Sequence, residues 1–357
     1  MEVLESLVKS RVDGRFVECH TLELIACNPF AEDFSNASIL TQEKLSTFRL
    51  EYDLPETFTD CVRFDQVWDT TKIKQLIKSG DVKETLISQD ERIGEAIAAL
   101  KDYFADVNIH QECLKKVLRD KHDPDESAVL QVLAAHLFGP LSNGAYKINC
   151  KLPHPEVCSC GCDRQLKKGN TGLGCDVTWH GFVDMYIQDR ISIIVKNIPE
   201  DFHSKDGEDW LSSSDDAFSI HKQSYSCLIA QTVTNGFAQV NTSAELSGLP
   251  IPSFGCCPKQ ISIYLYDCKN DILLKSLPLT IFKFGQLDSS TVVMVWLYLN
   301  FSLFMNKHVS NLPSLRKANF LKKKWVEYLY SNVQCGLSSF PSPPEHVVLT
   351  PKLVCNK

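Results

Sequence analysis

The stretch DVTWHGFVDMYIQDRISIIVKN, residues 176–197, decides how the rest of the chain is interpreted. Its apolar residues flank a short polar turn, which predicts two short strands joined as a hairpin. Asp184 lies in the first predicted strand, and Lys196 ends the second. A carboxylate and a lysine on adjacent strand ends can bind a divalent metal ion and hold a phosphate group. The stretch therefore predicts a site that binds a metal ion and a phosphate group at the ends of two adjacent strands.

One group expected at such a site is missing. This chemistry usually uses a second carboxylate two residues before the lysine, and that position is Ile194. Isoleucine has no atom that binds a metal ion, and one carboxylate with water binds Mg²⁺ poorly. Asp189 is the nearest other acid, but it falls in the predicted turn, too far from the strand end. The sequence thus presents half of a metal site.

The residues after 120 predict a mixed α/β fold. From residue 125 onward, the spacing of apolar residues predicts the order helix, strand, strand, strand, helix, strand, strand, helix. The first helix is expected to begin at Asp125 or Glu126 and to stop at Gly139. The later elements are predicted at residues 145–152, 219–240, 260–267, 272–282 and 288–305.

The N-terminal region, residues 1–120, carries no recognisable chemical motif. Helical spacing predicts helices at residues 70–79, 91–104 and 110–119, with Gly80 as the C-cap of the first. Strand-like pieces fall near residues 21–27 and 47–52. We expect a mainly helical extension that precedes the core.

The order of elements, with Asp184 on the middle strand and Lys196 on the next, resembles the PD-(D/E)XK nuclease-like superfamily. The family core is a helix, a three-strand meander, a crossover helix and a further strand. Its signature is an acid on the second strand and acid-x-lysine on the third. Here Val183-Asp184 stands where the family often has Pro-Asp, and Ile194-Val195-Lys196 stands where it has acid-x-lysine.

This resemblance covers residues 121–306 and implies a restriction-endonuclease-like fold, a central mixed sheet flanked by helices. The remaining residues, 307–357, are predicted to form a basic helix and an irregular tail. The helix would carry Arg316, Lys317, Lys322, Lys323 and Lys324. These residues could contact phosphates, or they could form an ordinary solvated face.

The resemblance also assigns roles to four residues. Asp184 would bind Mg²⁺ or Mn²⁺ as a hard oxygen ligand. Lys196 would hold the scissile phosphate or orient an attacking water. Glu126, on the first core helix, is the nearest assisting acid, and Gln231, on the crossover helix, would approach substrate or water.

Three interpretations of the Asp184–Lys196 pair remain open at this stage: a nuclease site, a non-catalytic scaffold and a structural salt bridge. The resemblance implies metal-dependent hydrolysis of phosphodiester bonds in nucleic acid, with Asp184, Lys196, Gln231 and Glu126 as catalytic residues. Because Ile194 is not an acid, the same fold could serve instead as a non-catalytic scaffold that binds nucleic acid or protein. A strand acid beside a lysine also arises in many α/β proteins as a plain rim salt bridge.

A cysteine-rich loop precedes the predicted hairpin. Cys158, Cys160 and Cys162 alternate in CSCGC, and Cys175 follows. Four thiolates could close a tetrahedral Zn²⁺ site, with His154 as a substitute ligand. The spacing differs from paired Cys-x-x-Cys knuckles, so a group of reduced cysteines without metal is the alternative.

Composition limits the class of protein. The net charge of −7 argues against a protein that coats polyanions in general, although a local basic surface remains compatible with it. The 15 cysteines are odd in number and mostly isolated, which favours reduced thiols inside the cell. The N-terminal residues lack the pattern of a signal peptide, and no apolar run is long enough for a membrane span. We expect an intracellular protein, cytoplasmic or nuclear, that does not enter a membrane.

Overall fold

The computed structural model describes residues 2–13, 16–42, 61–78, 91–121, 124–151, 156–188, 190–196, 215–313, 315–321, 328, 331 and 333–337. Several predictions lie outside these residues, namely those for the strand near 47–52, Gly80, His154, Asp189, Lys322, Lys323, Lys324 and the end of the C-terminal tail.

The predicted helices at 70–79, 91–104, 110–119 and 219–240 are confirmed to within a few residues. In the described part of the chain, the α-helices are α1 (Glu2–Asp13), α2 (Phe64–Val67), α3 (Thr70–Lys78), α4 (Glu91–Ala105), α5 (Val107–Leu118), α6 (Glu126–Leu133), α7 (Gly139–Leu141), α8 (Asp215–Thr242), α9 (Ser289–Leu299) and α10 (Phe301–Phe304). No helix among the described residues is both long and apolar enough to cross a membrane.

The strands are mostly short and apolar. They are β1 (Val17–Cys27), β2 (Ile39–Gln42), β3 (Cys61–Arg63), β4 (Tyr146–Asn149), β5 (Lys168–Gly169), β6 (Gly172–Gly174), β7 (Gly181–Phe182), β8 (Met185–Ile187), β9 (Ile191–Val195), β10 (Ile251–Cys256), β11 (Gln260–Asp267), β12 (Ile272–Ser276), β13 (Leu279–Thr280), β14 (Phe282–Lys283), β15 (Gln286–Leu287) and β16 (Gln334–Cys335).

One large mixed sheet organises the molecule, as the sequence predicts for a mixed α/β protein. Its strands follow the order β2-β1-β12-β11-β10-β9-β8-β4-β5. The strands β4, β8 and β9 form an antiparallel meander. Helix α8 then crosses over and returns the chain to β10, which is parallel to β9. The N-terminal region contributes β1 to the same sheet, next to β12.

Helices cover the sheet on both faces. Ile193 and Val195 of β9 belong to the core cluster that includes residues of α1, α4, α5, α6 and α9. Ile194, between them, belongs to the cluster on the α8 face. All five residues of β9 are buried, as expected for a strand in the middle of a sheet that is covered on both sides.

The structure corrects two boundaries. Gly139 does not stop its helix, because the chain remains helical through Leu141. A Cβ at Gly139 would collide with the Ala134 carbonyl oxygen and with the Tyr146 ring, so the glycine permits close packing. The predicted strand at 272–282 is broken into β12, β13 and the start of β14.

Strand β10 was not predicted as an element. It has the sequence IPSFGC, in which a proline and a glycine favour a turn. A side chain at Gly255 would collide with Leu228 of α8, so the glycine lets the crossover helix pack closely on the strand. At the C-terminal end, Arg316 and Lys317 lie in a segment without helical structure, contrary to the prediction.

A buried ion pair links α1 to β1. The Arg11 Nη1 lies 2.7 Å from Oε2 of Glu18, whose side chain is only 2% exposed. The Tyr298 hydroxyl donates a 2.6 Å hydrogen bond to the other carboxylate oxygen. Burial raises the pKa of Glu18, and Arg11 opposes that rise. The carboxylate therefore depends on its partners to remain charged inside the core.

Candidate functional site

Asp184 and Lys196 come together at the same end of the hairpin that β8 and β9 form. These strands are antiparallel, with Met185 opposite Ile193, so the residue before β8 lies beside the end of β9. Asp184 occupies the bend just before β8 rather than the strand itself. Its Oδ2 accepts a 2.8 Å hydrogen bond from the Val195 N–H. This bond holds the carboxylate next to the residue that follows Val195, which is Lys196.

Glu126 brings a second carboxylate to the same place. It occupies the first turn of α6, which Asp125 caps by accepting a 2.7 Å hydrogen bond from the Ala128 N–H. The Lys196 Nζ donates to Oε2 of Glu126 across 3.1 Å. The side chains of this pair are 34% and 45% exposed, so solvent or a ligand can reach them.

Burial and the neighbouring charges shift the pKa values of Asp184 and Lys196. Burial raises the pKa of Asp184 to about 6; Glu126 adds to the rise, while the Val195 N–H and Lys196 oppose it. Burial acts to lower the pKa of Lys196, but the two carboxylates outweigh it and the pKa is raised. Asp184 therefore takes up a proton in mildly acidic solution, whereas Lys196 stays charged.

Helix α8 contributes Cys227 and Gln231, which are one helical turn apart and so lie on one side of the helix. The Cys227 thiol interacts electrostatically with Lys196 and Asp184, and burial raises its pKa to about 12. Gln231 Nε2 donates to the Cys227 sulfur at 3.6 Å. The Oε1 of Gln231 is buried and has no hydrogen-bond partner among the described residues. A buried acceptor without a partner is costly.

Apolar packing fills the position where the sequence lacks an acid. Ile194 is 3% exposed and belongs to the same core cluster as Leu228 and Ile229 of α8. A carboxylate at this position would be buried beneath the helix. The second acid near Lys196 is therefore Glu126, which comes from a different element.

We call Glu126, Asp184, Lys196 and Gln231 the acid–lysine site. Comparisons with protein-family models, curated proteins and solved structures find no match. The donor set itself indicates what the site can do. Carboxylate and amide oxygens are hard ligands that suit Mg²⁺ and Mn²⁺, and a lysine ammonium group suits a phosphate.

A second group of ligand-type side chains lies farther along the same helix. Beyond α6 the chain continues as a π-helical stretch, Ala134–Phe138, before α7. His136 lies in this stretch, Cys113 lies in α5, and Cys160 and Cys162 lie in the loop between β4 and β5. Their ligand atoms all lie within 4.8 Å of one another, so together they could hold a metal ion. We call these four residues the Cys/His cluster.

His136 is central to this cluster. Its Nε2 lies 3.1 Å from Sγ of Cys162 and 3.3 Å from Sγ of Cys160. Its Nδ1 lies 3.3 Å from Nδ1 of His110. The Tyr103 ring stacks on His110 with a centroid distance of 4.6 Å. Burial lowers the pKa of His136 to about 3 and that of His110 to about 4, so both rings are neutral at pH 7.

The cysteines predicted as one ligand set are separated in the structure. Cys158 stays near the cluster, with its Sγ 3.3 Å from that of Cys160. Cys175 lies beyond β6, a strand of a separate small sheet, and its Sγ is 3.4 Å from Oγ1 of Thr178. It packs against the core cluster on the α8 face, not against the one that contains Cys160. Helix packing supplies Cys113 and His136 in place of Cys158 and Cys175.

Sequence reasoning missed Cys113, His136 and Cys227. The first two are distant in sequence from the CSCGC loop, and only the packing of α5 on α6 joins them to it. One signal was present for His136, a histidine within the apolar run Ala134–Phe138. A polar ring buried among apolar residues requires a partner. For Cys227 the signal was its position, four residues before Gln231, which places both side chains on the same side of the predicted helix.

Proposed function

We propose that residues 121–306 form a PD-(D/E)XK nuclease-like core whose acid–lysine site binds Mg²⁺ or Mn²⁺ and hydrolyses phosphodiester bonds in nucleic acid. The observation that carries this proposal is the 3.1 Å contact between Lys196 Nζ and Glu126 Oε2, beside the Asp184 carboxylate. Two acids and a lysine therefore meet at a strand end, although Ile194 is not one of the acids.

The arrangement of elements supports the proposal. Helix α6, the meander β4-β8-β9, the crossover helix α8 and the parallel strand β10 follow the order of the family core. Asp184 stands at the start of the second meander strand, and Lys196 directly follows the third. Each of the four residues of the acid–lysine site comes from a different core element or its end.

The residues of the site fit a hard divalent cation. Asp184 and Glu126 would supply carboxylate oxygens, and the partnerless Oε1 of Gln231 would supply a neutral one. When bound, such an ion lowers the pKa of a water ligand and offsets phosphate charge. Zn²⁺, the other metal ion that the sequence predicts, would belong to the Cys/His cluster and not to this site.

The protein groups have separable tasks in this proposal. The Lys196 ammonium would exchange its contact with Glu126 for a phosphate oxygen and hold that oxygen in place. Asp184 must be ionised to bind a cation, and its pKa of about 6 predicts that metal binding weakens below that pH. The Val195 N–H keeps the Asp184 carboxylate at the strand end.

A nuclease assay tests the proposal. The wild type is expected to cleave single- or double-stranded DNA or RNA when Mg²⁺ or Mn²⁺ is present. Asp184→Asn and Lys196→Met should each lose about 100-fold or more in rate, because each removes a charge that acts on the reacting phosphate or its metal ion. Cleavage is measured on labelled oligonucleotides with proteins purified in parallel.

The exposed ion pair between Arg63 and Asp65, 3.1 Å long, provides a matched control. Asp65→Asn and Arg63→Met likewise remove one charge each, on a strand and helix away from the acid–lysine site, and should cleave at the wild-type rate. Cleavage that is equal in all five proteins would show that the activity belongs to a contaminant and would reject the catalytic assignment.

The packing of Ile194 favours a second candidate, a non-catalytic scaffold on the same core that binds nucleic acid or protein. This side chain fills the site of an acid with apolar contacts to α8. Under this alternative, the wild type should bind no Mn²⁺ at millimolar concentration. Calorimetric titration with Mn²⁺ therefore separates the two candidates.

Ile194→Glu should tighten Mn²⁺ binding about tenfold or more, because it adds a carboxylate on the strand that ends at Lys196. The affinity is measured by the same titration, and Ile194→Gln controls for the altered packing without adding charge. If the glutamate variant folds but binds no more tightly than the glutamine variant, the proposed PD-(D/E)XK-like geometry at this strand end is wrong.

A further inference from the structure

We infer that the Cys/His cluster is a structural Zn²⁺ site with four protein ligands: Cys113 Sγ, His136 Nε2, Cys160 Sγ and Cys162 Sγ. In a tetrahedral site of this type, neighbouring ligand atoms lie about 3.5–3.8 Å apart, given usual Zn–S and Zn–N distances. The four atoms already lie within 4.8 Å of one another. Shifts of about 1 Å or less would bring them to that geometry.

The loop that carries Cys160 and Cys162 is shaped as a ligand loop. Gly161, between the two cysteines, has a φ of +80°, a conformation that glycine adopts without strain. The backbone N–H of Cys162 faces the Cys160 sulfur, and that of Arg164 faces the Cys162 sulfur. Backbone donors aimed at sulfur stabilise a thiolate, which is the form that binds a metal ion.

His136 is oriented by a second shell of side chains. A histidine that binds through Nε2 carries its proton on Nδ1, and this proton needs an acceptor. Nδ1 of His110 lies 3.3 Å from Nδ1 of His136, and the stacked Tyr103 ring holds His110 in place. The two rings thus leave Nε2 of His136 free to face the sulfur atoms. The contact between the two rings thus supports a metal-binding role for His136 independently of the ligand distances.

The four ligands come from three separate parts of the chain. Helix α5, the π-helical stretch and the CSCGC loop meet at this cluster, and Lys116 adds a hydrogen bond from its Nζ to the Cys160 carbonyl. A site with four protein ligands leaves no position for substrate, so the ion serves structure. Each cysteine ligand releases its thiol proton to solvent when the ion binds. The ion would join the loop to the helix pair and hold one end of the helix that carries Glu126.

Cys158 and Cys175 are the informative controls. Cys158 is buried beside Cys160 but lies outside the ligand set, and Cys175 was the fourth ligand predicted from the spacing of the chain. Replacement of either by serine should leave the metal content unchanged. Cys113→Ser should weaken Zn²⁺ binding by more than 100-fold, since loss of an outer-shell partner alone costs about 10- to 100-fold.

The experiment measures zinc by elemental analysis in the full chain, expressed with Zn²⁺ in the medium and purified without chelator. One Zn²⁺ per chain is expected in the wild type, Cys158→Ser and Cys175→Ser, and much less than one in Cys113→Ser. Reconstitution with Co²⁺ gives a second readout, because its absorption reports tetrahedral geometry and the number of thiolate ligands.

A second variant keeps the test decisive if Cys113→Ser fails to fold. Cys113→His should retain one Co²⁺ and lose about one third of the thiolate charge-transfer absorption, because three sulfur ligands become two. The inference is overturned if the wild type binds no stoichiometric metal ion. It is also overturned if Cys158→Ser or Cys175→Ser loses the ion while Cys113→Ser keeps it. Neither result decides the catalytic assignment of the acid–lysine site, which the nuclease assay tests with substitutions at Asp184 and Lys196.

Discussion

Asp184→Asn is expected to make the protein more stable than the wild type at pH 8, by about 2 kcal/mol, while it removes the proposed catalysis. The pKa of Asp184 rises from 3.8 to about 6, chiefly because burial disfavours the charged form. Such a shift corresponds to at most about 3 kcal/mol. Partial exposure of the residue lets water screen part of this cost, so we expect the smaller value.

The sign of the effect follows from the direction of the pKa shift. Between pH 3.8 and about 6 the unfolded chain loses the Asp184 proton while the folded chain keeps it, so the charge of Asp184 lowers stability progressively over this window. The advantage of the asparagine variant should therefore be absent near pH 3.8 and complete above pH 6. Urea denaturation without added Mg²⁺ or Mn²⁺ measures it at each pH. A variant that is equally or less stable than the wild type at pH 8 would contradict the prediction, and Asp65→Asn, which removes an exposed charge, should change the stability at pH 8 by no more than about 1 kcal/mol.

Arg11→Met is expected to lower the free energy of unfolding by about 3–5 kcal/mol, because it leaves the Glu18 charge buried without its cation. The methionine preserves most of the aliphatic contact of the arginine side chain, so the loss is mainly electrostatic. Urea denaturation at pH 7 measures the change. The exposed pair of Arg63 and Asp65 gives the comparison, since Arg63→Met should cost no more than about 1 kcal/mol.

A second substitution identifies the cause of that loss. Glu18→Gln in the Arg11→Met background should recover much of the stability, because the neutral amide can still accept the Tyr298 hydrogen bond. The double-mutant cycle isolates the coupling between the two residues. If the double variant is as unstable as the sum of the single variants, the two side chains do not act as a pair.

Elements with a strong local pattern could be predicted from sequence. Strand β11 spans the predicted residues 260–267 because QISIYLYD combines β-branched and aromatic residues with a following turn. The hairpin of β8 and β9 also depends only on residues that are close in sequence. It brings Asp184 and Lys196 to the same end of the two strands without contacts from distant residues. Glu126 and Gln231 were identified through the order of the elements, and the contact of Glu126 with Lys196 agrees with that placement.

Features that depend on distant neighbours could not be predicted in this way. Strand β10 contains a proline and a glycine, and its place is set by pairing with β9 on one side and β11 on the other. The membership of the Cys/His cluster depends on how α5 packs against α6. The spacing of the cysteines favours Cys175, which follows the CSCGC loop, over Cys113, because Cys113 reaches the loop only through the packing of the helices.

The π-helical stretch fixes the rotational phase between the two candidate sites. An α-helix turns about 100° per residue, and a single π turn accommodates one residue more than an α turn. Glu126 lies before the stretch and His136 within it, so the two residues point to their respective sites only with this extra residue in the chain. Deletion of Ala135, which precedes His136 in the stretch, would restore a regular α turn and move His136 by up to about 100° relative to Glu126. Glu126 could then reach Lys196 only if His136 turned away from the cysteines, so chain length in this helix is as constrained as residue identity.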